Sequence, residues 1–304
     1  MALESSVLAQ GLPFPANLEL SRTLCGLISK EGAEARTVGI IDGELKVGLS
    51  AEEILRMCSN SPTDRGSTTG GEVGSVSKVS LKDMPIIMAQ RATGATTVAS
   101  TMRAAYLHGI RVMATGGIGG VHRGMDAEAL FDVSADLYEL ASTPLTVVCA
   151  GPKAVLHLAA TRERLESLGI PVIGWKTDKM PAFYCGQSPH NVDTRCDSVE
   201  EVVRIVRARD ELQMRQSVLV CVPLPESMAL SYDRVERSVA AALHAEQARD
   251  LTPSQITPYL LDAIRSEIGE AALTANVELL KQNARLAARL AVALADGTAT
   301  TTTN

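Results

Sequence analysis

Short apolar runs alternate along this chain with segments whose apolar residues recur every three or four positions. The runs at 37–42 (TVGIID), 44–49 (ELKVGL), 85–89 (PIIMA), 110–115 (IRVMAT), 145–150 (LTVVCA), 170–175 (IPVIGW) and 217–223 (SVLVCVP) predict strands. Between them, 51–58, 96–108, 154–168 and 199–213 predict helices, and the last third predicts three more over 233–248, 257–268 and 271–296. Asp42-Gly43 joins the first two runs and predicts a tight hairpin, because both positions of such a turn need positive φ. The remaining alternation of strand and helix argues an α/β fold whose largely parallel sheet is covered on both faces. No internal repeat is present. The stretch at 59–74 is rich in Ser, Thr and Gly and predicts a mobile surface loop, and the tail at 297–304 predicts a disordered end. Neither starts a new pattern, so residues 1–304 read as one domain.

Composition narrows the picture. At 304 residues and 46% hydrophobic, the chain is long and apolar enough for a substantial core. Aromatics are only 3%, so that core is aliphatic, as suits helices packed on a sheet. A net charge of −6, few aromatics and no basic run argue against nucleic-acid binding. Six cysteines without a CxxC pair argue for a reducing compartment and against a zinc cluster. With no apolar run near 20 residues and no secretory pattern, the expectation is a soluble cytoplasmic protein.

In α/β sheets, ligands gather beyond the carboxyl ends of strands. Four polar stretches follow predicted strands: GATTVAST (94–101), GGIGGVHRG (116–124), GPK (151–153) and KTDKMPAFYCG (176–186). The glycine-rich GGIGG is either an oxyanion cradle or a tight structural turn. Asp132, Ser134 and Asp136 cluster hard oxygen donors suited to Mg²⁺ or Mn²⁺, and Ser134 or Asp136 equally suits the cap of the helix ADLYELA. Lys153 follows a buried run and opens a predicted helix, where desolvation and a helix end would lower its pKa and favour attack on a carbonyl. The alternative is a snorkelling surface lysine. Glu4 is a candidate proton donor or an exposed terminal residue. His122, inside the glycine-rich stretch, is the histidine best placed for phosphate or proton work. His108, His157 and His244 fall in helices, and His190 lies in a polar loop without an evident partner.

The stretches ALESSVLAQGLPFPAN, IIDGELKVGLS, KVSLKDMP, GATTVASTM, ATGGIGGVHRG, FDVSADLYELA, VVCAGPKAVL, PAFYC and TANVELL resemble, in order, the signatures of the pseudouridine-5′-phosphate glycosidase family, also called indigoidine synthase A-like. The resemblance covers roughly residues 2–290. It implies a three-layer α/β/α sandwich with a largely parallel, mixed sheet, a homotrimer, and a divalent metal, usually Mn²⁺. The implied reaction is reversible cleavage of the C–C glycosidic bond of pseudouridine 5′-phosphate to uracil and ribose 5-phosphate. Lys153 of AGPK matches the lysine that forms a Schiff base with C1′ of the opened ribose, although Pro152 replaces the usual small residue. Glu4 of ALES matches the proton donor, and Asp132 of FDVSAD the metal-binding carboxylate. Ser134, Ala135 and Asp136 match the substrate-contacting run, and Lys78 and Val98 further substrate contacts. His122 and Asn276 match residues near the sugar phosphate and the uracil.

The chemistry accounts for these types. A C–C glycosidic bond has no leaving-group oxygen to protonate, so two carboxylates alone do not suffice. A lysine iminium supplies the electron sink, an acid moves protons, and polar groups hold the uracil. Compared with the family pattern, in which a further segment usually precedes ALES, the 59–74 stretch reads as longer and GMDAEALFD as slightly expanded. Two other readings remain: a C-glycoside synthase joining ribose 5-phosphate to another aromatic acceptor, and a non-catalytic phosphosugar-binding protein. The presence of Lys153, Glu4 and Asp132 argues against the latter.

Overall fold

The computed structural model describes residues 1–59, 76–123, 132–246 and 269–296, with Tyr259, Leu260, Ala263, Ile264 and Ser266. Past Ser59, the loop expected at 59–74 lies outside the described residues, as do the tail at 297–304 and most of the helix expected at 257–268.

The strands are β1 (Ala2–Leu3), β2 (Arg36–Ile41), β3 (Glu44–Val47), β4 (Ser77–Val79), β5 (Gly94–Thr96), β6 (Val112–Ala114), β7 (Thr146–Cys149), β8 (Val172–Trp175), β9 (Thr194–Cys196) and β10 (Val218–Cys221). They form one sheet in the order β4-β5-β2-β1-β6-β7-β10-β8-β9, with β3 paired to β2. From β2 through β1 to β9 every pairing on this path is parallel. β3 and β5 run antiparallel to β2, so the sheet is mixed. Asp42 and Gly43 both have positive φ and close the predicted β2–β3 hairpin.

The helices are α1 (Ala16–Lys30), α2 (Ala51–Ser59), α3 (Met84–Ala89), α4 (Val98–Leu107), α5 (Ala135–Ser142), α6 (Leu158–Ser167), α7 (Val199–Glu211), α8 (Tyr232–Glu246) and α9 (Glu270–Asp296). The connections β1–α1–β2 and β9–α7–β10 step one way along the sheet, whereas β6–α5–β7 and β7–α6–β8 step the other way. Right-handed crossovers therefore place α1 and α7 on one face and α5 and α6 on the other. α9 packs on β6 and β7 and touches both α1 and α7, while α4 pairs with α5. The result is the expected three-layer sandwich. β6, β7 and β10 are buried along their whole length, which explains their uninterrupted apolar sequences. Among the described residues, no helix is long and apolar enough to cross a membrane. All six cysteines are free.

Two expectations are corrected. PIIMA is helix α3, not a strand: a 3-10 turn over Leu81–Asp83, closed by a Ser80–Asp83 capping box, leads into it, Pro85 sits in its first turn, and Met84 and Ile87 are buried while Ile86 and Met88 are exposed. A five-residue apolar run does not distinguish strand from helix by period. Helix α1 was not expected from the apolar pattern. Its inward face, Leu20, Leu24 and Ile28, also carries the polar Asn17 and Ser21, and Asn17 anchors its first turn through Nδ2 to the carbonyls of Leu8 and Cys58.

The first strand positions the site. β1 pairs with only Arg36 and Thr37 of β2, and β5 pairs antiparallel with Gly39 and Ile40. β3 occupies one edge of β2 over Val38–Ile41, so β5 takes the other edge, where β1 has ended. The ends of β1 and β5 meet there: the Thr96 backbone N–H donates to Ser5 Oγ at 2.9 Å.

Candidate active site

Glu4 is the first residue beyond β1 and is buried. Because Leu3 is in register with Ala114, Glu4 comes opposite Thr115, the first residue beyond β6. Thr115 Oγ1 donates to Glu4 Oε1, and Ser6 Oγ donates to Oε2 at 2.5 Å. Asn283 of α9 holds the Thr115 carbonyl through Nδ2 at 2.8 Å. Glu4 is thus a fixed, buried carboxyl and not an exposed terminal residue.

Lys153 lies beyond β7. The GPK and GGIGG segments continue the β6–β7 pairing past the strands: Ile118 N–H donates to the Gly151 carbonyl, and Lys153 N–H to the Ile118 carbonyl at 3.0 Å. Gly151 has φ +82°, and a Cβ on it would strike the Pro181 carbonyl, so only glycine fits this approach. The expected helix start is corrected. α6 begins at Leu158, so Lys153 stands on a loop and not in a first helical turn.

Lys78 stands on the edge strand β4, in register with Ala95. Its residue is exposed, yet neighbouring chain surrounds its ammonium group. Withdrawal from water lowers its pKa below the ordinary lysine value, and Lys153 lowers it further, while Asp136, Glu4 and Asp83 pull it back up. The chain thus brings Lys78, Lys153, Glu4 and Asp136 from four separate segments into one electrostatic neighbourhood.

Asp136 is buried, and both its oxygens are engaged by backbone. Oδ1 accepts from Ala99 N–H at 3.0 Å and Oδ2 from Gly119 N–H at 2.8 Å. It ties the start of α4, where Val98 is the buried first residue, to the glycine-rich segment. Ser134 caps α5 by accepting from Asp136 N–H, and Ala135 is the first helical residue. A Cβ on Gly119 would strike Ser134 Oγ, which is why a glycine lies there. In GGIGGVH, the N–H groups of Ile118, Gly119, Val121 and His122 all have acceptors within the protein. The packing role of this segment therefore outweighs the oxyanion cradle.

Asp132 and His122 face each other where Val121 bridges Val133: His122 Nδ1 lies 3.1 Å from Asp132 Oδ1, and His122 N–H donates to the Asp132 carbonyl. Residues 124–131 between them lie outside the described residues. Asp132 is half-exposed. Among the described residues, no group of three or more His, Cys, Asp or Glu is placed to hold a metal. This donor set fits only a hard cation that keeps most of its water. Asn276 is buried on α9, seven residues before Asn283, and its Oδ1 lacks a hydrogen-bond partner. Leu279 and Leu280, one turn on, pack against Gly116. The histidines expected to be structural sit at helix ends or on the surface. His108 Nδ1 lies 2.8 Å from the Ala104 carbonyl, His157 caps α6 and His244 is exposed.

The family model described as "Indigoidine synthase A like protein" matches residues 1–293. The chain belongs to the indigoidine synthase A-like family. A relative from Symbiobacterium thermophilum named pseudouridine-5′-phosphate glycosidase is 42% identical over 98% of this chain and 93% of its own length. The Escherichia coli K12 protein of the same name is 42% identical over 96% of this chain and 89% of its own. The crystal structure of an indigoidine synthase A-like protein from Thermotoga maritima superimposes with a TM-score of 0.85 at 31% identity, covering 97% and 92% of the two chains. That of the prealnumycin C-glycosynthase AlnA, in complex with ribulose 5-phosphate, gives 0.86 at 33% identity, covering 98% and 92%.

In this indigoidine synthase A-like chain, the residues that sequence reasoning passed over are the supporting ones. Thr115, Ser6 and Asn283 are not candidates by residue type or spacing. The one available signal was position: Thr115 directly follows a buried strand, as Glu4 does.

Proposed function

We propose that this protein is a pseudouridine-5′-phosphate glycosidase, cleaving the C–C bond between ribose C1′ and uracil C5. The observation that carries the reading is the convergence of Glu4 beyond β1, Lys153 beyond β7 and Lys78 of β4, in a chain about 40% identical to proteins of that name.

In the proposed sequence, Glu4 donates a proton to O4′ as the C1′–O4′ bond opens and Lys153 Nζ bonds to C1′. Glu4 then recovers a proton from that nitrogen. The nitrogen lone pair forms the C=N bond, the C1′–C5 bond breaks, and its electrons pass to uracil, whose C5 takes the proton from Glu4. Water hydrolyses the imine, releasing ribose 5-phosphate and free Lys153. Lys78 supplies a nearby positive charge that attracts the substrate's anionic oxygens. The orphaned Asn276 Oδ1 suits a uracil N–H. A divalent cation such as Mn²⁺, held through Asp132 with waters completing its shell, would supply further positive charge to the substrate's oxygens. A homotrimer in the cytoplasm completes the proposal, and sedimentation would test the oligomer.

The test is release of uracil from pseudouridine 5′-phosphate in the presence of Mn²⁺. Borohydride with ribose 5-phosphate should add one reduced sugar mass at Lys153, and Lys153→Ala should abolish both trapping and turnover. Normal turnover by that variant would refute the mechanism. The second reading, a C-glycoside synthase with another aromatic acceptor, draws on the likeness to AlnA. Bond formation with a non-uracil acceptor, but none with uracil, would favour it.

A further inference from the structure

A second recess, of about 300 Å³, opens at the carboxyl ends of β8 and β10 against α9. None of its lining residues belongs to the Glu4–Lys78–Lys153 cluster, and the volume is that of a small-ligand pocket. Trp175, the only tryptophan in the chain, forms one wall, beside aliphatic surface that includes Leu286. Lys176, Arg285 and Arg289 bring three cations to it, and Gln282 brings an amide.

The charges are not balanced. Arg289 is paired with Glu31 at 2.8 Å. Arg285 makes no direct ion pair but lies close enough to Glu31 to help lower its carboxyl pKa, whereas Lys176 has no ion pair among the described residues and its Nζ lies over the Trp175 ring, 5.5 Å from its centroid. A recess with an aromatic wall and three cations, two of which share the single carboxylate of Glu31, is complementary to an anion that carries a flat apolar body.

The backbone supplies an independent observation. Among the described residues, five non-glycine residues have positive φ: Asp42, Arg91, Lys176, Phe183 and Gln213. Asp42 is in the hairpin, and Arg91 and Gln213 follow the ends of α3 and α7. Lys176, at φ 58°, has no such helix end or hairpin to explain it, and it stands at the lip of the recess. Non-glycine residues held in this region cluster at ligand-binding sites, where the strain serves to place a side chain.

We propose that this recess binds a nucleoside 5′-monophosphate. Arg285 and Lys176 hold the phosphate, the base lies against Trp175, and Gln282 meets the base edge with one donor and one acceptor. A guanidinium offers a phosphate two parallel hydrogen bonds, and an indole face stacks on any base. Lys176 leaves the ring as the base arrives, exchanging an exposed cation–π contact for a charge-assisted bond to phosphate.

Because Trp175 is the sole indole, its fluorescence reports on this recess directly. Titration of the full-length protein with uridine 5′-monophosphate should give a saturable change. Uridine and inorganic phosphate should each bind about tenfold or more weakly, since each lacks half of the complementary groups. Arg285→Ala should weaken binding by about tenfold. Lys176→Gly should do the same without lowering Tm, because glycine accepts the left-handed backbone at no steric cost. If Arg285→Ala fails to fold, Lys176→Gly carries the test. Lys78→Ala and Lys153→Ala should leave the isotherm unchanged. The proposal fails if no saturable change occurs, if phosphate alone binds as well as the nucleotide, or if the reaction-site variants abolish the signal. It fails also if the fluorescence follows protein concentration instead of nucleotide, which would mark the recess as a contact between copies of the chain.

Discussion

Thr115 donates its hydroxyl to the carboxylate of Glu4, across 111 residues of sequence. The contact follows from strand register. Leu3 and Ala114 are partners in adjacent parallel strands, so the next residue of each emerges on the same side of the sheet edge. Glu4→Gln should cut turnover about 100-fold or more with little change in substrate affinity, as for loss of a general acid. Thr115→Val should lower kcat by about tenfold through a less well-oriented Glu4, with KM nearly unchanged and Thr115→Ser restoring most of the loss. Steady-state kinetics separate the two parameters. Unaltered kcat in both Glu4→Gln and Thr115→Val would remove Glu4 from the mechanism.

Asp136 joins two loops through two backbone amides. Asn in its place keeps one acceptor but turns an NH₂ toward an N–H. Asp136→Asn should therefore destabilise the protein by about 2 kcal/mol, the cost of leaving a buried donor unpaired, in addition to reducing activity. Denaturant unfolding measures the first effect. Full stability with lost activity would mean that Asp136 acts on substrate alone.

The lowered pKa of Lys78 has a defined sign in stability. Between its folded pKa and the ordinary lysine value of 10.5, the unfolded chain binds more protons than the native one. Stability contributed by this group therefore rises with pH across that window, and at neutral pH the charged lysine is destabilising. Lys78→Met should raise Tm modestly at pH 7, with the gain disappearing as pH approaches 10.5, while KM rises by about tenfold or more from loss of a charged contact. Calorimetry at several pH values checks this. A fall in Tm at pH 7 would contradict it.

Gly119 lies where any Cβ meets Ser134 Oγ. Gly119→Ala should cost about 1–3 kcal/mol of stability, the usual scale for overpacking, and should reduce turnover by displacing the segment that Asp136 holds. Gly26→Ala is the control: nothing lies within 4 Å of its Cβ, and it should be neutral or stabilising.

Asp132 is the expected carboxylate for a hydrated cation. Asp132→Asn should weaken Mn²⁺ binding by about tenfold or more, as read by the spectrum of free Mn²⁺ in solution and not only by activity. Chelation should remove turnover from the parent protein and Mn²⁺ should restore it. Full activity of a metal-stripped preparation would dismiss the cation.

The apolar runs at 145–150 and 217–223 could be read as central strands because they are buried on both faces, and burial of that kind leaves no polar position to mark a period. Asp42-Gly43 announced its turn because few residues accept positive φ. The motif residues Glu4, Lys78, Asp132 and Lys153 were visible through resemblance. Their relation to one another was not. It depends on β1 stopping after two residues and β5 entering the vacated edge of β2, an event decided by long-range pairing that no local pattern encodes. The same reason hid β4, β5 and β9, each three residues long and shorter than any usable period. It also decided which role each polar residue took. Asp136 serves two backbone amides, Thr115 orients Glu4, and Asn276 keeps an acceptor unpaired, because hydrogen bonds are allotted by neighbours in space and not in sequence.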